Sequence, residues 1–474
     1  MGSILHVSIV LVLSALPYNA NAHESFDSAI TPKDLTGYSL VEAIPNTMET
    51  VNLLRYLDAN LNDEAMDFWS DATGLDQPVQ ILIHPELNVL SKQLFEDRNI
   101  SFNVISNNFM EMIEEEKLEL AMEEGNFTWA LQRRSIQCQG EYAINLFTYN
   151  SLIKMNEYIR HLSKNVKNYN SLAGLNISLQ SIGTTYEGRP INMLKISLNN
   201  GTNKPAIWID CGVHSRERIS PAFCLYAIDR LVHQSENLLS MHDFYIVPVI
   251  NPDGYAYMES GYRMWRKNRK PGRSSPRLIR SGRRFGLAQQ FQRVMQNFLQ
   301  SSSPRYVKGG FLGSFSGGTQ GSSHGDRGWG SRYGCTGTDV NRNFDMDWAT
   351  TGSSYDSCQD DYHGAAPFSE AESKATRDAI NAIKCTQTVA AFVSVHSYGQ
   401  LWMTPFATKR SLSSHNNDLQ RVAQRAVSAL GSLYGTRYKF GPISQLLFMT
   451  VGGSSVDWAH EKVRCFLYTS AFCI

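Results

Sequence analysis

The apolar positions of the chain follow two rhythms, and the change between them falls near residue 135. Upstream, Gly37–Ala43, Val79–His84 and Ser101–Ile105 alternate apolar and polar residues as half-buried strands do. Thr47–Leu61 carries the 3.6-residue spacing of an amphipathic helix, and Glu111–Glu124 predicts a second, strongly acidic one. Residues 23–134 therefore read as a small α/β unit. Downstream, Pro205–Val213, Asp243–Ile250 and Thr388–Val395 are nearly continuous apolar runs, the pattern of strands buried on both faces. Helical stretches near Ser220–His233, Glu370–Ile383 and Asn417–Leu433 separate these runs. Residues 135–474 are thus expected to form an α/β domain, a mixed central sheet with helices on both faces.

One stretch breaks this pattern. Residues 271–334 hold 13 glycines, nine arginines, one lysine and a single acid, Asp326. Within it Phe291, Val294, Met295, Phe298 and Leu299 predict about a turn and a half of amphipathic helix. The remainder has the composition of a loosely attached insertion, expected to have no dedicated partner. A polyanion-binding role for its basic residues is the alternative; a nucleic-acid partner is not expected.

Charge sharpens the division. The chain balances 44 basic against 44 acidic side chains, but residues 23–134 carry 21 acids and 7 bases, a net of −14. The rest is therefore cationic, and an acidic segment suits the role of covering a cationic site. At the boundary lies Arg133-Arg134, a dibasic step matching an activating trypsin-like protease. Residues 1–22 read as a signal peptide, an apolar run closing on Ala20-Asn21-Ala22. No other segment has the length and apolarity of a membrane span. Eight cysteines, all at or after Cys138, and sequons at Asn99, Asn126, Asn176 and Asn200 agree with a secreted, disulfide-bonded protein.

Chemistry gathers at strand ends. The run Pro205–Val213 leads into His214-Ser215-Arg216-Glu217, and Thr388–Val395 leads into His396. Ligands in open α/β sheets gather beyond the carboxyl ends of strands. A lone histidine is ordinarily a core or surface residue. Two histidines and a glutamate brought to one rim form the His₂Glu set of a catalytic zinc with an open fourth position. Arginines accompany them: Arg216, Arg266, and Arg342 within Asp339-Val340-Asn341-Arg342-Asn343. Guanidinium groups clamp carboxylates bidentately and stabilise oxyanions beside a metal, which together suit cleavage at a peptide's C-terminus.

With these residues go Tyr186-Glu187-Gly188-Arg189-Pro190, Asn251-Pro252-Asp253-Gly254-Tyr255, His396-Ser397-Tyr398 and Asp457-Trp458. In these motifs the chain resembles the zinc metallocarboxypeptidases of the pancreatic A/B type, from about Leu40 to about Cys465, interrupted by 271–334. The resemblance implies a ferredoxin-like inhibitory pro-domain over 23–134 and a carboxypeptidase-like catalytic domain over 135–474. It implies one zinc ion bound by His214, Glu217 and His396. Asn341 and Arg342 would hold the substrate's terminal carboxylate, Arg216 and Tyr398 would contact the peptide, and Arg266 would polarise the scissile carbonyl. Disulfides Cys211–Cys224 and Cys335–Cys358 are implied, as are peptide or protein C-termini as substrates and release of the pro-domain near Arg133-Arg134.

The sequence also departs from the family pattern. The general-base glutamate belongs to the strand after Asp457-Trp458, and aligning Val463-Arg464 with the start of that strand puts Ser470 in its place. No Asp or Glu follows Glu461, and the helix implied after that strand is missing, so the C-terminus reads as truncated. Met449 stands for the aromatic of the substrate-capping segment, and Arg218 for the tryptophan after the zinc glutamate. Val456 aligns with the base of the specificity pocket, where an aliphatic side chain favours apolar or aromatic terminal residues. Two functions follow: a secreted zinc carboxypeptidase zymogen, or an inactive protein that keeps the zinc and grips peptide C-termini.

Overall fold

The computed structural model describes residues 34–118, 144–272, 286–300 and 335–473, apart from 62–63, 70–71, 73, 147, 167–173, 200–202 and 464–467. The signal-peptide reading and the dibasic step Arg133-Arg134 lie outside the described residues.

The N-terminal unit runs β1 (Ser39–Ile44), α1 (Met48–Asn60), β2 (Met66–Phe68), β3 (Val79–Ile83), α2 (Asn88–Asp97), β4 (Ser101–Ser106) and a helix α3 over 109–118. Thr47 caps α1: its hydroxyl accepts the Thr50 N–H, and the Thr50 hydroxyl accepts the Thr47 N–H in return. The strands form a four-stranded sheet in the order β2-β3-β1-β4, with every neighbouring pair antiparallel. That order with two crossing helices is the ferredoxin-like arrangement expected. Alternation along the strands gives the sheet two different faces. Val41, Ala43, Val79 and Ile81 pack with Val51, Leu54 and Leu57 of α1 and Phe95 of α2. Leu40 and Leu82 point the other way and join a core made mostly by the C-terminal unit.

That unit runs α4 (Leu152–Lys164), β5 (Leu175–Thr184), β6 (Pro190–Leu198), β7 (Ala206–Cys211), α5 (Ile219–Gln234), α6 (Glu236–Met241), β8 (Asp243–Val247), α7 (Pro252–Glu259) and α8 (Leu287–Gln300). It continues with α9 (Ala371–Lys384), β9 (Val389–His396), β10 (Leu401–Thr404), α10 (Asn416–Tyr434), β11 (Lys439–Pro442) and β12 (Tyr468–Cys473). The eight strands make one mixed sheet, β11-β10-β12-β9-β7-β8-β6-β5. Its centre is parallel, with β7 between β8 and β9 and β12 alongside β9. Every residue of β7 is buried. Ile207 and Ile209 face the core shared with α4, α5 and α10, while Ala206 and Trp208 face the core shared with α9. Helices therefore cover both faces, which is why these strands read as unbroken apolar runs.

The insertion is corrected in one respect. Instead of a turn and a half, Leu287–Gln300 forms a 14-residue helix. This helix packs within the chain, with Phe291 and Phe298 buried in the apolar core of the N-terminal unit. Among the described residues, no helix is long and apolar enough to cross a membrane.

Candidate active site

The two central parallel strands position the metal-type donors. β9 ends on His396 itself, and β7 ends at Cys211, three residues before His214. The turn between Cys211 and His214 needs Gly212, whose φ is +64° and whose added Cβ would press on Pro221 at 3.1 Å. Ser220 holds the turn down: its hydroxyl accepts the Gly212 N–H and donates to the Val395 carbonyl at 2.6 Å. Cys211 is bonded to Cys224 of α5, and Cys335 to Cys358, the two pairings expected.

His214, Glu217 and His396 converge as the sequence predicts. Nδ1 of His214 lies 2.7 Å from Glu217 Oε1, Nδ1 of His396 lies 3.1 Å from Oε2, and the two Nδ1 atoms are 3.2 Å apart. All three residues are buried, and their donor atoms fall within 4.8 Å of one another. The set fits a zinc ion for a specific reason. Nε2 of His214 faces Asp339 Oδ1 at 3.1 Å, so its proton sits on Nε2 and the Nδ1 lone pair is left for the cluster. Burial raises the Glu217 carboxyl, but the charge and hydrogen bonds of His214 and His396 in their protonated form outweigh it and hold the group well below the usual carboxylate range. The same two rings that bond Glu217 when protonated offer lone pairs once they give up their protons.

Asp339 carried no assigned role in the sequence although it opens the motif with Asn341 and Arg342. It is wholly buried. Its second oxygen accepts from Arg266 Nη2 at 2.8 Å, and Oδ1 also accepts the Asn341 N–H at 2.9 Å. Burial raises its carboxyl, but Arg266, His214 and Arg342 together push it far down. One carboxylate thus fixes a donor histidine, the arginine expected at the scissile carbonyl and the asparagine expected at the terminal carboxylate.

Four of the remaining predicted residues lie around a cavity of about 480 Å³. Arg266, Asn341, Arg342 and Tyr398 line it with the three donors. Arg342 is oriented by Nε donating to the Gly352 carbonyl at 2.8 Å, and the Asn341 amide oxygen accepts from the Ser455 N–H at 3.0 Å. Gly453 packs so tightly on the Arg342 backbone that a Cβ would overlap its carbonyl carbon at 2.5 Å. Arg216 lines the adjoining cavity, with Nη1 donating to Asp360 Oδ2 at 3.2 Å. Val456 is 1% exposed and does not reach the cavity wall; it packs in the same core as Met403, Ala407, Ile443 and Val451, which do.

The N-terminal unit forms one side of this cavity. Glu42, Trp69, Gln77, Pro78 and Gln80 form part of its lining. Asp67 lies 3.6 Å from Arg216 and accepts from the Trp69 indole at 3.1 Å. Glu116 of α3 takes a two-pronged grip from Arg263, at 2.9 and 3.2 Å, and lies 3.6 Å from Arg218. These contacts realise the acid-on-base complementarity read from the charge division.

The family profile for zinc carboxypeptidases matches residues 163–473, and that for the carboxypeptidase activation peptide matches 41–116. The chain belongs to the zinc carboxypeptidase family. Carboxypeptidase A2 of Mus musculus is 29% identical over 432 residues, covering 90% of this chain and 83% of the relative. Carboxypeptidase B of Bos taurus is 34% identical over 293 residues, covering 60% and 55%. Among solved structures, thrombin activatable fibrinolysis inhibitor superposes with a TM-score of 0.63 at 26% identity, over 92% of this chain and 90% of that one. A carboxypeptidase A from Helicoverpa armigera reaches 0.68 at 22% identity, over 93% and 89%, and shares the fold. In this carboxypeptidase the N-terminal unit is the activation peptide.

One departure from the family pattern stands out in the strand register. β12 runs parallel to β9, with Ala471 opposite Ser394, Cys473 opposite His396 and Ser470 opposite Val393. Successive strand positions alternate between faces, so position 471, not 470, shares the face of His396. The strand Tyr468–Cys473 contains no carboxylate. Among the described residues lining the cavity, the carboxylates are Glu217 and, from the activation peptide, Glu42.

Proposed function

We propose that the chain is the zymogen of a secreted metallocarboxypeptidase that removes the C-terminal residue of peptides. The observation carrying this reading is the convergence of His214, Glu217 and His396 beside Arg266 and Arg342 in one cavity capped by the activation peptide. His214 Nδ1, His396 Nδ1 and Glu217 would hold one zinc ion, which when bound supplies a Lewis acid and a water of lowered pKa.

The chain's own residues divide the remaining work. Arg342 and Asn341 bind the substrate's terminal carboxylate, setting the register of the scissile bond. Arg266, held by Asp339, places positive charge where an oxyanion develops. Arg216 and Tyr398 contact the peptide on the upstream side. Leu446, Leu447, Ile443 and Met403 give the cavity an apolar wall, which favours an apolar or aromatic terminal side chain. In the zymogen, Trp69 and Gln80 line the cavity and Asp67 lies beside Arg216, so substrate is excluded until the activation peptide is cut near Arg133-Arg134 and displaced.

A second reading is favoured by β12. A general base contributes about 10²–10⁴-fold, and without one the chain would bind zinc and peptide C-termini while turning over slowly or not at all. Release of C-terminal Phe and of C-terminal Arg by the protease-treated protein tests both readings. Faster release of Phe supports the enzyme and its preference; faster release of Arg rejects the preference. No release, with zinc and a C-terminal peptide still bound, selects the binding protein.

A further inference from the structure

Helix α8 is encoded in the catalytic half of the chain, yet its apolar face belongs to the other half. Leu287, Phe291, Val294, Met295 and Phe298 recur at the spacing of a single helical stripe. Phe291 and Phe298 are 3% and 6% exposed, and Leu287, Val294 and Met295 pack beside them against the core of Val41, Leu54, Ile81 and Phe95. The Phe298 ring meets Tyr56 of α1 at 5.2 Å. The helix lies against α1 and the 3₁₀ turn Pro85–Leu87. Among the described residues, α8 is the one element beyond residue 104 that enters this core.

The geometry makes the contact a clamp. The face of the activation-peptide sheet carrying Glu42 and Gln80 covers the active-site cavity, and Leu40 and Leu82 pack into the catalytic core. The opposite face carries α1 and α2, and α8 docks on that side. The activation peptide is therefore held from both sides by one polypeptide.

We propose that α8 is a second docking surface for the activation peptide, making its departure depend on α8 and not only on the contacts around the active site. A cut between 118 and 144 leaves α8 attached to the catalytic domain, so the freed peptide stays seated and the cavity stays covered. The consequence for activation rests on the zymogen reading; the retention itself does not. Buried aromatic side chains of this size shift a dissociation constant by about tenfold or more each.

The test replaces residues 131–136 of the full chain with the recognition sequence of a site-specific protease that ignores basic residues. The cut protein is then diluted and passed over gel filtration. The two fragments are expected to co-elute in the parent. In Phe291→Ala/Phe298→Ala the peptide should dissociate at least about tenfold faster. A second variant, with Leu287–Gln300 replaced by a Gly/Ser stretch of equal length, guards against misfolding, because both buried phenylalanines of α8 lie in the activation-peptide core. Dissociation at the parent's rate in both variants, or rapid loss from the parent itself, overturns the proposal. Elution does not depend on peptidase activity, so the experiment works equally well on an inactive enzyme.

Discussion

Nε2 of His214 lies 3.1 Å from a carboxylate oxygen of Asp339, and the same carboxylate receives Arg266 at 2.8 Å on its other oxygen. A wholly buried acid thus sets both the tautomer of an imidazole proposed to bind the metal and the aim of the cation beside it. Asp339→Asn keeps the shape but can present an N–H to His214 Nε2. Zinc affinity is expected to fall about 10–100-fold, measured by competition with a chromogenic chelator. Unchanged affinity would reduce Asp339 to a packing role.

Arg266 and Arg342 share one cavity but are assigned different tasks. Removing Arg266 takes charge from the developing oxyanion, so Arg266→Ala should lower kcat by about 10²–10³-fold. Removing Arg342 takes a charged hydrogen bond from the bound substrate, so Arg342→Ala should mainly raise KM, by about 10–100-fold. Steady-state kinetics of the activated protein separate the two; the same KM-dominated loss in both variants would contradict the division.

The register of β12 makes the missing base testable by gain of function. Ala471 is paired with Ser394 on the His396 face of the sheet, and Ser470 with Val393 on the other. Ala471→Glu should raise kcat by about 10²-fold or more, whereas Ser470→Glu should not. The reverse order would mean that the aligned position, not the register, locates the base.

Glu372, at the start of α9, is 1% exposed and accepts from Asn268 at 2.9 Å. Burial, with a smaller push from Glu370 and Asp253, raises its pKa from 4.5 to about 7. A raised carboxyl stabilises the fold fully only below its unfolded value, and that contribution is lost as pH rises from about 4.5 through about 7. The full shift corresponds to about 3 kcal/mol as an upper bound. Glu372→Gln should therefore flatten the fall in Tm between pH 5 and 8, seen by calorimetry; an unchanged pH profile would show that Glu372 is not the group titrating.

Much of this is legible in the chain. Fully apolar runs locate β7, β8 and β9 because strands covered on both faces admit no polar alternation. His214, Glu217 and His396 stand out because they follow directly on those runs. What stays hidden depends on partners distant in sequence. Asp339 has no local signature of a histidine-orienting acid, since that role arises from meeting His214 across 125 positions. β2 and α2 leave no clear pattern: β2 is three residues long, and α2 carries scattered polar residues among few buried ones. In α8 the five apolar positions are visible but sit in a stretch with the composition of a loose insertion, because the surface that orders them lies in the activation peptide.

The central claim is that His214, Glu217 and His396 form one metal centre, and metal content tests it most directly. The purified protein should carry one zinc per chain by elemental analysis after gel filtration. His396→Ala and Glu217→Gln should each lose it while eluting as the parent does. A parent without zinc, or variants that retain it in full, would contradict the account.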